Sequence, residues 1–166
     1  MFKEKNKLLA KPVQPPTKMH HFRSLLAFAF SAAFVTTGFA AEYRSVQDKV
    51  AILYDAPSTQ ATKRFVVKQG YPFEVVVKLD KWIKVRDNSG TIAWVEAANL
   101  TEKRTLIVTQ SGAEVREKPD AASKIIFKAD KDLLLEFVET SPTGWIKVHH
   151  RDGENGFINL KQVWGT

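Results

Sequence analysis

From position 50 onward the apolar residues come in short runs broken by polar turns, the punctuation of β-strands rather than of helices. Val50-Ala51-Ile52-Leu53-Tyr54 is an apolar strand stopped by the turn Asp55-Ala56-Pro57-Ser58. Residues 64–68 form a second strand, closed by Gln69 and Gly70. Phe73, Val75, Val77 and Leu79 then alternate with Glu74, Lys78 and Asp80, the period of two expected of a half-buried strand. Trp82-Ile83-Lys84-Val85, the polar segment Asp87-Asn88-Ser89-Gly90 and the returning Ala93-Trp94-Val95 read as a β-hairpin. Residues 96–100 leave room for a short helical turn at most.

The hairpin recurs. Trp145-Ile146-Lys147-Val148 leads through residues 151–155 to Gly156-Phe157-Ile158, and Trp82/Trp145, Gly90/Gly153 and Trp94/Phe157 are all 63 positions apart. A constant spacing of this kind marks a duplicated unit. The second copy has a strand at 113–116, a turn at 117–120 whose Pro119 matches Pro57, and a strand at 124–128. Asp130-Lys131-Asp132 stands in for the Gly70 turn, residues 133–138 match the long strand, and Val163 and Trp164 close the unit as Leu100 closes the first. No interval between strands holds a helix of three turns. The expected organisation is an N-terminal extension with a signal peptide over 1–40 and two β units over 41–104 and 105–166, joined by the short linker 101–104. So short a linker favours a packed pair over free beads on a string.

Charge changes the picture only once it is divided. The 166 residues carry a net +7, but residues 1–40 hold six basic side chains against Glu4 alone, whereas the other 126 hold 19 basic and 17 acidic. The basicity therefore belongs to the leader, and nucleic acid, which needs a basic stripe on the folded part, is not expected as a partner. The absence of cysteine removes disulfides, thiolate metal sites, cysteine nucleophiles and lipoprotein anchoring.

Residues 1–18 are polar, basic and interrupted by Pro12, Pro15 and Pro16, a composition that does not fold, and Met19 offers a second start. After it come His20, His21 and Arg23, an apolar run from Leu25 to Val35, and the small-residue site Gly38-Phe39-Ala40. The run is shorter than the ~20 residues of a spanning helix. It reads as a signal peptide cleaved after Ala40, so the mature chain is expected to be exported, periplasmic or extracellular, with no membrane span.

Alternation also places the aromatics. With Ile83 and Val85 in the core, Trp82, Lys84 and Arg86 face outward; with Val95 in the core, Trp94 and Ile92 do too. An odd loop such as 87–89, with Gly90 at positive φ, pairs Trp82 with Trp94, whereas an even loop puts Trp82 on the side of Val95. His149 and His150, adjacent in a strand, point to opposite faces and do not share an ion, so a solvated hairpin tip is expected there and no metal or cofactor. Ser58 and Ser123 lie near turns and join no Ser-His-acid set, and no pair of carboxylates is marked as acid and base, so no catalytic activity is expected.

Each unit resembles the bacterial SH3-like (SH3b) domain. The resemblance rests on Leu53 to Ser58, Gly70 to Val77, Trp82 to Val85 and Ala93-Trp94-Val95 in the first unit. In the second it rests on Val115 to Asp120, Asp130 to Phe137, Trp145 to Val148 and Gly156-Phe157-Ile158. Ala93 departs from the usual glycine and Phe157 from the usual tryptophan. The resemblance implies an all-β protein of two tandem small SH3-like β-barrels, with five or six strands each, and a binding role in the bacterial cell envelope. The implied partner is a cell-wall peptide, namely peptidoglycan stems, or a short peptide. The alternative is a structural adaptor docking on another envelope protein through the barrel surface. In SH3 domains a hairpin tryptophan and tyrosines near the first strand line a peptide groove, and Trp82, Trp94 and Tyr54 occupy similar places here. The second unit offers Trp145 and Phe157, with Arg116 where Tyr54 stands. Trp82, Trp94, Trp145 and Phe157 each have a competing reading as a lid on a small core.

Overall fold

The computed structural model describes residues 41–166; the expected signal peptide and N-terminal extension lie outside them. The first seven strands are β1 (Tyr43–Val46), β2 (Val50–Tyr54), β3 (Lys63–Lys68), β4 (Pro72–Lys78), β5 (Trp82–Arg86), β6 (Ile92–Glu96) and β7 (Leu100–Thr101). The second seven are β8 (Thr105–Val108), β9 (Ala113–Arg116), β10 (Ile125–Ala129), β11 (Leu134–Thr140), β12 (Trp145–His149), β13 (Asn155–Asn159) and β14 (Val163–Trp164). They form two sheets of one topology, β3-β2-β6-β5-β4-β1-β7 and β10-β9-β13-β12-β11-β8-β14, every pairing antiparallel. A single 3-10 turn precedes the closing strand of each, at Ala97–Asn99 and Leu160–Gln162. The protein is thus two tandem SH3-like barrels, with seven strands per sheet rather than five or six.

Each sheet wraps one core, and the cores match position by position. Val46, Ala51, Leu53 and Phe73 correspond to Val108, Ala113, Val115 and Leu135, and Ile83, Val85 and Val95 to Ile146, Val148 and Ile158. The spacing is 62 up to β11 and 63 after it, because the turn 79–81 of the first barrel becomes the longer turn 141–144 in the second. Gly144 at φ +78° accommodates the added residue. Ala93 and Gly156 are counterparts: at Gly156 a Cβ would lie 2.5 Å from Val115 Cγ1 and 2.9 Å from the Arg116 carbonyl, so only glycine fits.

Three features depart from the alternation. Strands β1 and β8 carry no period-two signature; Leu106, Ile107 and Val108 are all buried, as a strand covered on both faces must be. In β4 the register slips between Val75 and Val77, and from there Val76, Val77 and Leu79 are exposed instead of alternating inward. His150 does not sit on a solvated tip: it is buried, and its ring packs 5.4 Å from Phe127.

The linker is packed between the barrels. The Thr105 hydroxyl donates to the Gly70 carbonyl at 2.5 Å, the Ser45 hydroxyl donates to the Lys103 carbonyl, and Phe137 N donates to the Arg104 carbonyl at 3.0 Å. Trp164 of the second barrel meets Tyr43 of the first edge-on, with centroids 5.4 Å apart. Burial pushes the Tyr43 hydroxyl pKa above its ordinary 10.0, with Glu74 adding to the effect.

Candidate functional site

The β5–β6 hairpin holds the candidate aromatics. Its register is Trp82↔Glu96, Ile83↔Val95, Lys84↔Trp94, Val85↔Ala93 and Arg86↔Ile92. The loop is odd, five residues over 87–91, so Trp82 and Trp94 share the outer face; they are diagonal neighbours and not a directly opposed pair. Asp87 sets that length. Its Oδ1 accepts from Ser89 N and Thr91 N, both at 2.9 Å, and from the Ser89 hydroxyl at 2.7 Å, turning the backbone around one carboxylate. Gly90 takes the positive φ of +87° that the turn requires. The Tyr71 hydroxyl braces the loop from outside by donating to Asn88 Oδ1 at 2.9 Å.

Tyr54 ends β2 directly across from Trp94, and its ring stands edge-on to Trp82 with centroids 5.3 Å apart. The three aromatics of the first unit therefore come together. Their exposures divide the roles: Tyr54 is only 5% exposed and forms a backing wall, while Trp82 and Trp94 are half-buried and keep open surface. The Lys84 ammonium lies 5.5 Å from the centre of the Trp94 ring, and Arg86 pairs with Glu74 at 2.9 Å along the same strand pair. With Ile92, which is exposed, the face combines two indoles, an aliphatic side chain and a cation. Aromatic faces and a cation are the chemistry by which a surface of this kind would stack an extended chain and neutralise a carboxylate.

The second barrel repeats the backbone and not the surface. Arg116 pairs across from Phe157 as Tyr54 does from Trp94, but its guanidinium is engaged by Glu114 and the Ser123 carbonyl. Trp145 is buried, 9% exposed, and Phe157 is half-buried. Lys147 sits opposite Phe157, its ammonium 3.4 Å from Glu139.

The hairpin tips differ too. His150 occupies the place of Asp87, and Asp152 and Glu154 those of Ser89 and Thr91. The imidazole Nδ1 is 3.4 Å from the Asp152 carboxylate and 3.6 Å from that of Glu154, and is buried with no hydrogen-bond partner among the described residues. His149 turns away to Asn155 Oδ1 at 3.1 Å. Among the described residues no group of three His, Asp or Glu side chains is placed to hold a metal ion. Nor, among them, is any helix long and apolar enough to cross a membrane.

A cleft of about 770 Å³ lies elsewhere, between the barrels, against Gly70, Thr105, Leu134 and His149. Its Lys103 and Glu136 neutralise one another at 2.5 Å and the Thr105 hydroxyl is committed to Gly70, and it brings no pair of aromatic faces together. The aromatic face of the first barrel is the better site on chemistry.

A family model, the bacterial SH3 domain, matches residues 47–102 and again residues 109–165. Among solved structures, the chain is similar to NlpC2 and NlpC1 from Trichomonas vaginalis at 12% and 11% identity, with TM-scores of 0.36 for both. These matches cover 76% and 79% of this chain and 49% and 48% of those chains. It is also similar to an NlpC/P60 family protein from Bacillus cereus at 14% identity and a TM-score of 0.32, over 73% of this chain and 55% of that one. The chain thus spans about half the length of these structures. No curated protein matches it. Two consecutive sheets of identical strand order, each matched by the same family model, show that this chain belongs to the bacterial SH3 domain family as a tandem pair.

Proposed function

We propose that the chain is an exported, non-catalytic binding module of the bacterial cell envelope, and that its first barrel takes a peptidoglycan stem or another short peptide across Trp82 and Trp94. The observation that carries this is the asymmetry of the outer aromatic faces. In the first barrel Trp82 and Trp94 stay partly exposed beside Lys84, with Tyr54 fixed behind them. In the second, Trp145 is buried and Arg116 is engaged by its own barrel. Rigid indoles offer contact area at little entropic cost, and Lys84 supplies a cation for a peptide carboxylate. Export is supported by the signal-like segment before Ala41. In this reading Trp145, Phe157 and Arg116 serve the second barrel's own structure and do not touch the ligand.

Sedimentation of the chain with purified sacculi tests the proposal. Retention is expected for the wild type and for Phe157→Ala, and is expected to fall at least tenfold in Trp82→Ala and Trp94→Ala. Failure of the wild type to sediment would remove wall binding from the reading.

A further inference from the structure

The two barrels also differ at one sheet edge. β3 ends the first sheet and pairs only with β2. Its counterpart β10 ends the second sheet, and Phe65 and Phe127 hold the same place on the two strands, opposite Leu53 and Val115 respectively. Phe127 is half-buried, packs on the second core and is covered by the His150 ring at 5.4 Å. In the first barrel that covering position is Asp87, a short side chain already used within its own loop. Phe65 is left 46% exposed, Val66 68% and Val50, at the start of the neighbouring strand, 53%. An edge strand with uncovered apolar side chains and no outer partner among the described residues is a template for another strand.

Beside this edge runs a groove of about 410 Å³, lined on one side by Val66, Val67 and Tyr71 and on the other by Ile107 and Leu134 of the second barrel. Lys68 and Asp132 are its charged residues. A strand added to β3 would send alternate side chains toward this apolar groove.

Charge selects the occupant. β3 reads Lys63-Arg64-Phe65-Val66-Val67-Lys68, with Lys49 preceding Val50 on the adjacent strand. Pairing with a second copy centred on Val66 would set Arg64 opposite Lys68; centring between Phe65 and Val66 would set Lys63 opposite Lys68. Like charges directly opposed are destabilising, so these two registers disfavour a second copy, and any other register still brings Lys63, Arg64 and Lys68 of both strands into one ribbon. An extended segment with apolar residues inside and acidic residues at its ends meets no such conflict.

We infer that β3 is a docking edge for an extended acidic strand of a partner protein, which adds to the first sheet and seats its apolar side chains beside Val66. This surface is separate from the Trp82/Trp94 face and goes beyond the binding role proposed for it.

The test titrates the ¹⁵N-labelled full chain at low salt with two blocked seven-residue peptides, one alternating valine with glutamate and the other valine with lysine. The acidic peptide is expected to shift the amides of Phe65, Val66 and Val67 and to bind at least tenfold more tightly than the basic one. Arg64→Glu combined with Lys68→Glu is expected to reverse that order, whereas Trp82→Ala leaves it unchanged. Equal affinity for the two peptides, shifts confined to the Trp82 and Trp94 indoles, or salt-independent self-association of the chain through β3 would each overturn the inference.

Discussion

The guanidinium of Arg104 lies 4.1 Å from the centre of the Phe137 ring, stacked on the second barrel from the linker that leaves the first. The same group is 5.8 Å from the ring of Tyr43, and its Nη2 donates to the Gly165 carbonyl at 3.1 Å. One side chain thus ties β1, β11 and the C-terminal strand together. Its planarity allows this, because a guanidinium stacks on an aromatic face while its edge still donates.

Arg104→Ala is therefore expected to destabilise the chain by about 2–3 kcal/mol, the sum of a sheltered cation–π contact and one charge-assisted hydrogen bond. Arg104→Lys should recover less than half of that, since an ammonium cannot stack and donate in the same geometry. Urea unfolding monitored by circular dichroism measures both. Loss of cooperativity, with two transitions replacing one, would accompany the larger effect.

Trp145 and Trp82 are equivalent in sequence and are expected to part on mutation. Trp145→Ala removes a buried indole and should cost about 3–5 kcal/mol. Trp82→Ala removes a partly exposed ring and its edge contact with Tyr54, and should cost about 1–2 kcal/mol. Chemical denaturation of the two variants checks the ratio. Equal losses would mean that Trp82 is as much a core residue as Trp145.

The alkaline stability limit is expected to depend on Tyr71. Burial raises its hydroxyl pKa above the ordinary 10.0, with Asp87 and then Asp132 adding to the effect, and the neutral hydroxyl donates to Asn88. The folded protein therefore holds this proton more tightly than the unfolded chain. The contribution is complete below pH 10.0 and is lost as pH rises through the folded pKa. Tyr71→Phe should cost about 1 kcal/mol at neutral pH. The gap between wild type and variant should then close above pH 10.0, as measured by thermal melts across that range.

Asp132 has φ +68°, the only non-glycine residue in the left-handed region among those described, and it stands where the first barrel has Gly70 at φ +78°. Its N donates to the Val108 carbonyl at 2.8 Å, as Gly70 N does to Val46 at 2.9 Å, so the turn is the same. Asp132→Ala is expected to cost about 1 kcal/mol, because alanine has neither the local hydrogen bonding of aspartate nor the freedom of glycine. Asp132→Gly should be neutral or slightly stabilising. Differential scanning calorimetry separates the two.

Much of this was legible along the chain. The hairpin repeat located both barrels, Pro57 and Pro119 marked matching turns, and alternation gave the odd-loop arrangement of Trp82 and Trp94 as one of two, the one that the register has. The parts that escaped share a cause, which is dependence on a distant element. β8 was absent from the strand pattern of the second unit, which began at 113, because a strand buried on both sides carries no alternation. Val77 and Leu79 looked inward-facing because a bulge in β4 resets the alternation without altering the residues. His150 looked solvated because Phe127, against which its ring packs, lies more than twenty positions away in sequence.

The sequence by itself determined the fold class and the duplication, and alternation limited the outer aromatics to two arrangements, since side chains alternate in any strand whatever it packs against. The five-residue loop then put Trp82 and Trp94 on one face. Only the tertiary structure decided the register and the burial. Strands slip by two without changing face, so the offset between Trp82 and Trp94 waited on how Asp87 closes its loop. The fates of equivalent residues, Trp82 against Trp145 and Phe65 against Phe127, followed from neighbours supplied by other strands. Burial belongs to the contact between elements, and two copies of one pattern acquire different surfaces when their neighbours differ.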